Sequence, residues 1–264
     1  MSTLTTTPPG NSEELAKESS WEGFMGSTCQ EMHETGYAEW GFVIYRCAYG
    51  DDALWDRYMK YFKEQIHDKL VDQKCEFMEK YARWTVVEDE ADLQGASKLQ
   101  VRRRFVEWRD RHCVWRPGQP WFEKNFPDHL PDKETLRLPR FNYCLHVAQD
   151  CLETVDAHAA GKPTETPNYP APYLVVAVID GNFVDHSGPD DWNQFPPLDG
   201  CTQKYVGWQY TPVGSVPNFY NEHHYWTMES DVEYIRPPMI APMGLGVMPL
   251  AKKEQRSIPS SCPP

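Results

Sequence analysis

Apolar and polar positions alternate in a regular order along the middle of the chain. Residues 40–48, WGFVIYRCA, are rich in β-branched and aromatic side chains and predict a strand. A Gly-Asp-Asp turn follows, in which Asp51 or Asp52 can cap a helix. That helix carries Trp55, Tyr58, Met59, Phe62 and Ile66 at three- and four-residue steps. Residues 83–88, RWTVVE, predict a second strand. Ser97, three residues before Gln100, makes a capping-box pattern that opens a helix to about His112, with Val101, Phe105 and Trp108 on one face. Residues 140–147, RFNYCLHV, alternate like a strand, and AQDCLETVDAHAA behind them has helical spacing. After a proline-rich connector at 161–172, the run YLVVAVID at 173–180 is apolar enough for a central strand covered on both faces.

From 181 to 229 the pattern reads as loop. DVEYIRPP, 231–238, predicts a last strand stopped by two prolines that cannot donate to a ladder. Strand-helix alternation implies an α/β fold, with α+β as the alternative: one domain with a mixed sheet of about five strands flanked by helices. Residues 37–240 form that domain. Residues 1–36 are Ser/Thr/Glu-rich and predict a flexible lead-in, and residues 241–264 an irregular tail.

Composition narrows the function classes. The chain has 264 residues, is 40% hydrophobic and carries 14 Tyr, 11 Phe and 10 Trp, which suits a packed core and not disorder. A net charge of −13 argues against a protein enveloped by DNA or RNA or pressed onto anionic lipid, though it permits a local basic patch. No apolar run approaches the roughly 20 residues of a membrane helix. The N-terminal MSTLTTTPPGNSEELAKESS lacks a signal pattern. The eight cysteines form no CxxC pair and read as reduced core thiols, so the expected location is the cytoplasm.

Strong chemical motifs are missing: no Walker loop, GxGxxG, HExxH or GxSxG. Three weaker groupings remain. VIDGNFVDHSGPDDW, 178–192, places Asp180 at a strand end before Asp185, His186, Asp190 and Asp191. His186 can move a proton, while Asp180 or Asp185 orients it or binds a cation; the bland alternative is a solvated acidic turn. The helix at 97–112 concentrates Lys98, Arg102, Arg103, Arg104, Arg109 and Arg111 and suits phosphate, or is simply a charged outer face paired with acidic neighbours. YNEHHYWTMESD, 220–231, offers Glu222 to a cationic ligand, while its adjacent histidines have poor metal spacing. In WGFVIYR, Tyr45 and Arg46 end the apolar run, and Arg46 needs a carboxylate or an anionic ligand group near the sheet edge.

Several separated stretches, WGFVIYRCAYGDD, VVEDEADLQGASKLQVRRRFVEW, PRFNYCLHVAQDCLETV, DGCTQKYVGW and YIRPP, resemble in order a large family of small fungal proteins. The resemblance spans about residues 38–240 and points to the arginine-containing cyclodipeptide synthases. It implies a cytoplasmic enzyme of secondary metabolism that joins an arginyl group and a second aminoacyl group, each from a charged tRNA, into a diketopiperazine. An aminoacyl ester is already activated, so no cofactor, ATP or metal is implied. No family motif assigns catalytic positions, so the roles follow from chemistry alone. Asp180 and His186 are the acid-base candidates. Asp185 and Glu222 are carboxylates for the guanidinium, with Tyr45 and Arg46 as further substrate contacts. Trp192, Trp208 and Tyr220 can wall the second side-chain pocket, Ser187 is a conceivable nucleophile, and Arg102, Arg103 and Arg104 face the tRNA. The competing classes are a metal-free tailoring enzyme of a fungal pathway and a non-catalytic interaction protein.

Overall fold

The computed structural model describes residue 15 and residues 23–35, 37–112, 138–161, 173–186, 195–230, 234–240 and 248–249. In chain order, helix α1 (Gly26–Thr35) precedes strand β1 (Val43–Arg46) and the long helix α2 (Asp52–Asp72). Strand β2 (Thr85–Val87) leads into helix α3 (Lys98–His112), and β3 (Tyr143–Val147) and β4 (Val175–Asp180) follow. Strand β5 (Trp208–Pro212) runs into helix α4 (Val216–Glu222), and two-residue strands β6 (Met239–Ile240) and β7 (Met248–Pro249) end the order. Single helical turns at Glu90–Leu93, Pro139–Asn142, Gln149–Leu152 and Thr154–Ala159 fill the connections.

The strands form one mixed sheet in the order β2-β1-β3-β4-β5-β6-β7. The pairs β2/β1 and β1/β3 are parallel, and β3/β4 and β4/β5 antiparallel. The fold is thus α/β, a mixed sheet flanked by helices. Its register fixes which side chains share a face. Tyr45 stands opposite His146, His146 opposite Ala177, and Ala177 opposite Tyr210, so these four form one row across the sheet. Helix α3 covers that face. Helices α2 and α4 cover the other, where the Tyr58 hydroxyl donates to the Val175 carbonyl at 2.9 Å and Phe219 meets Tyr143 edge to face.

Local chemistry explains the long helices. Asp51 caps α2 by accepting from the Leu54 N–H at 2.9 Å, and the helix buries Trp55, Tyr58, Phe62, Ile66 and Leu70. The Ser97/Gln100 capping box closes in both directions: the Ser97 N–H donates to Gln100 Oε1 at 2.8 Å and the Gln100 N–H to Ser97 Oγ at 3.3 Å. Val101 and Phe105 then reach the core, and Trp108 stacks on Phe105.

Four expectations change. The lead-in at 1–36 holds α1, because Met25, Cys29 and Met32 recur at helical steps and join the core despite their polar surroundings. The supposed loop at 181–229 contains β5 and α4. WQYTP reads poorly as a strand because Gln209 and Thr211 are polar, yet all five residues are buried. The expected last strand at 231–238 is not one: residues 234–238 are irregular or turn, residues 231–233 lie outside the described residues, and the strand comes at β6. The tail contributes β7, antiparallel to β6, so the sheet has seven strands in place of about five.

Of the two partners expected for Arg46, a carboxylate or an anionic group of the substrate, the chain supplies the first. Arg46 pairs with Asp52 and, at 3.6 Å, with Glu88, donates to the Ala48 carbonyl at 3.1 Å, and lies over the rings of Tyr49 and Trp55. It therefore ties the end of β1 to the start of α2. Arg46→Ala removes the carbonyl bond and both ring contacts, and is expected to cost about 2 kcal/mol of stability, read as a lower urea midpoint at unchanged slope.

Candidate functional site

Asp180, the favoured catalytic residue, ends β4 with a buried side chain whose oxygens are both engaged. Oδ2 accepts from the Tyr205 hydroxyl at 2.6 Å, and Oδ1 from the Asn182 N–H at 2.7 Å. Burial pushes its carboxyl above the usual range, partly offset by those two bonds. Its carbonyl takes the Arg102 Nε at 2.8 Å while Arg102 Nη2 reaches the Gly207 carbonyl at 2.9 Å. Gly207 has a φ of +73°, and a Cβ there would lie 2.2 Å from the Phe183 ring, so only glycine lets the two segments approach. Asp180 is thus the anchor of a turn. His186 lies on the exposed stretch beyond it, with its N–H 3.4 Å from Gln203 Oε1, and no bond joins it to Asp180. Asp185 is exposed beside it; Ser187, Asp190, Asp191 and Trp192 lie outside the described residues. Glu222 is exposed at the end of α4, on the sheet face opposite α3. Tyr220 is buried among Trp40, Phe42 and His224 as core.

The basic helix also divides. Arg102 is the inward clamp just described, so its tRNA role is withdrawn. Arg104 pairs with Asp92, Arg109 donates to Asn182 Oδ1 at 2.7 Å, and Arg111 pairs with Glu107 at 3.4 Å. Arg103 is exposed and makes no ion pair among the described residues. The helix is mostly a charged face paired with acidic neighbours.

The richest unspent chemistry lies under the first turn of α3, on the row containing Tyr45. His146 is almost fully buried, and its Nε2 sits 3.0 Å from the Ala96 carbonyl. A carbonyl only accepts, so Nε2 carries the proton and Nδ1 is the acceptor. Nδ1 has no hydrogen-bond partner among the described residues. Burial, and then the nearby Lys98 ammonium, push this histidine down to about 4, so it is neutral at pH 7. Beside it Tyr210 donates its hydroxyl to Asp150 Oδ2, while Asp150 Oδ1 accepts from the Cys151 N–H at 2.9 Å. Lys98 Nζ lies 4.1 Å from the Trp208 ring centroid. Trp208, expected to wall a side-chain pocket, thus stands at this cluster. Tyr45 is buried on the same row, its phenol pushed up by burial.

Of the residues singled out in the sequence, the structure brings Lys98 and Trp208 together, sets Tyr45 opposite His146 on the same sheet face, and leaves Asp180, His186 and Glu222 apart from them. His146, Asp150 and Tyr210 were missed. A histidine at the apolar phase of RFNYCLHV was the available signal; Tyr210 carried none, since its strand read as loop. The described residues contain no group of three or more His, Cys, Asp or Glu placed to hold a metal, and no helix long and apolar enough to cross a membrane. Comparison with known proteins finds no matching family model, no matching curated protein and no matching solved structure.

Two expectations can be measured. His146 and the buried His224, pushed down to about 3 by burial and His223, both titrate below the ordinary 6.5. The unfolded chain therefore binds these protons first. The stability they contribute is complete above about pH 6.5 and is lost as pH falls toward 4, by up to about 1.4 kcal/mol per pH unit for each histidine. Urea midpoints should fall steadily between pH 7 and pH 5, and less steeply in His146→Gln. Asp180→Asn should lower stability by about 1 kcal/mol through a weakened Tyr205 bond, read as a lower urea midpoint.

Proposed function

We propose that this chain is an arginine-containing cyclodipeptide synthase, which takes an arginyl group and a second aminoacyl group from charged tRNAs in the cytoplasm. Its chemistry runs on the α3-covered face of the sheet and not at Asp180. The observation that carries the reading is the neutral, buried imidazole of His146 with an acceptor nitrogen unpartnered among the described residues, on the sheet row that runs from Tyr45 through His146 and Ala177 to Tyr210. The ordered sequence resemblance supplies the reaction class.

In the first step the α-amine of one aminoacyl group attacks the ester carbonyl of the other. A C–N bond forms, the attacking nitrogen becomes acidic, and Nδ1 accepts its proton. An imidazolium of low pKa is a strong acid, so it returns that proton to the ribose oxygen as the C–O bond breaks. The same exchange in reverse orientation closes the ring and releases the second tRNA. The ester provides the driving force, and the site contributes alignment and proton transfer. Arg103 and the first turn of α3 are what remains of the basic face for an acceptor stem. Binding is expected to be local and strongly salt-dependent, given the net charge of −13.

Expression in a bacterial host followed by mass spectrometry of the medium tests the reading. The wild-type chain should release cyclic dipeptides containing arginine. His146→Gln keeps the donor to the Ala96 carbonyl but lacks the second nitrogen, and should lower product by about a hundredfold or more at matched soluble protein. Folded wild-type protein that releases no cyclic dipeptide overturns the function. Full product from His146→Gln overturns the site.

A further inference from the structure

We infer that Trp208, Tyr210, Asp150 and Asp199 form a binding site for an organic monocation, and that the chain's own Lys98 fills it in the unliganded protein. The two rings meet at an interplanar angle of 88° with centroids 5.2 Å apart, which makes two walls of a corner. Lys98 Nζ sits in that corner, 4.1 Å from the Trp208 centroid and 5.7 Å from that of Tyr210. A carboxylate is fastened to each wall. Trp208 Nε1 donates to Asp199 Oδ2 at 3.1 Å, and the Tyr210 hydroxyl donates to Asp150 Oδ2. Faces of electron-rich rings flanked by negative charge attract ammonium and guanidinium groups strongly once water is displaced.

Lys98 is an incomplete occupant. Its ammonium makes no hydrogen bond or ion pair with any described residue, although it has three donors to place. Asp199 Oδ1 accepts from no described group. A guanidinium satisfies the corner better: its plane stacks on Trp208 while its N–H fork reaches Asp199. Lys98 is half-buried on the first turn of α3 and long enough to swing out to solvent. The site adjoins His146, on which the Lys98 ammonium acts to lower the pKa and the Asp150 and Asp199 carboxylates to raise it. Taking the occupant to be the arginyl side chain of a substrate rests on the proposed function; the cation site itself rests on the rings and carboxylates.

N-butylguanidine, a monocation, and its neutral isostere N-butylurea are titrated calorimetrically into wild-type protein, Lys98→Met, and Lys98→Met combined with Asp199→Asn. Thermal melting verifies that each is folded. Removing the internal competitor should tighten N-butylguanidine binding about tenfold, and the added Asp199→Asn should erase most of that gain. N-butylurea should bind none of the three measurably. Equal N-butylguanidine affinity in wild type and Lys98→Met, no binding to either, or equal binding of the neutral isostere would overturn the inference. No turnover enters the measurement, so a chain that makes no cyclic dipeptide could still pass it, and an active synthase could fail it.

Discussion

Both faces of the central sheet are covered, and every residue of β1, β3, β4 and β5 is buried. Much of the rest of the molecule answers to that constraint. An unsatisfied polar group enclosed there costs about 1–3 kcal/mol, so each polar side chain on these strands needs a partner supplied by the fold. Arg46 finds carboxylates at the start of α2 and a carbonyl at Ala48. Asp180 finds a phenol and a backbone N–H. Gln209 Nε2 donates to Thr211 Oγ1 at 3.4 Å, while Gln209 Oε1 has no partner among the described residues. His146 is satisfied at one nitrogen only. Gln209 Oε1 and His224 Nδ1 are left without a partner among the described residues in the same way, so what sets His146 apart is its place beside Lys98 and the Tyr210–Asp150 pair.

Helix α3 works on both sides of this constraint. Its capping box and apolar face dock it on the sheet, and Arg102 reaches past the core to bind the Asp180 and Gly207 carbonyls at the β4–β5 end, the Gly207 carbonyl also accepting from the Asp180 N–H at 2.9 Å. The clamp costs Arg102 solvation, and burial lowers its pKa. The close approach at Gly207 makes the clamp possible, with Phe183 packed against the guanidinium at 4.7 Å. Lys98, one turn earlier on the same helix, reaches instead the rings of β5. A stretch that looked like one basic patch is therefore three things: an internal clamp, a set of surface pairs and a cation lodged in an aromatic corner.

The distribution of roles also accounts for the reassignment of chemistry within the chain. Strand-end acids attract attention because ligands gather beyond the carboxyl ends of parallel strands. Here β4 runs antiparallel to β3, so Asp180 lies level with Tyr143 at the opposite end of the sheet from Arg46 and Val147. Strand direction, which no local pattern reveals, reversed the expectation.

The sequence by itself determined the elements whose signals are local. Asp51 before a helical stripe, Ser97 with Gln100, and the unbroken run at 173–180 each specify their own structure through hydrogen bonds and burial within a few residues. It also marked Tyr45 and Arg46 as residues that a simple packing account leaves over. Only the tertiary structure decided what they meet. Arg46 turns to Asp52 and Glu88, while Tyr45 falls into a row with His146 and Tyr210 because three strand registers align residues 101 and 64 positions apart. Strand β5 and the docking of α1 were hidden for the same reason: their polar residues are tolerated by partners distant in sequence, such as Asn221 for Thr28. Register, strand direction and long-range hydrogen bonding are properties of the assembled sheet, and a single strand's composition does not contain them.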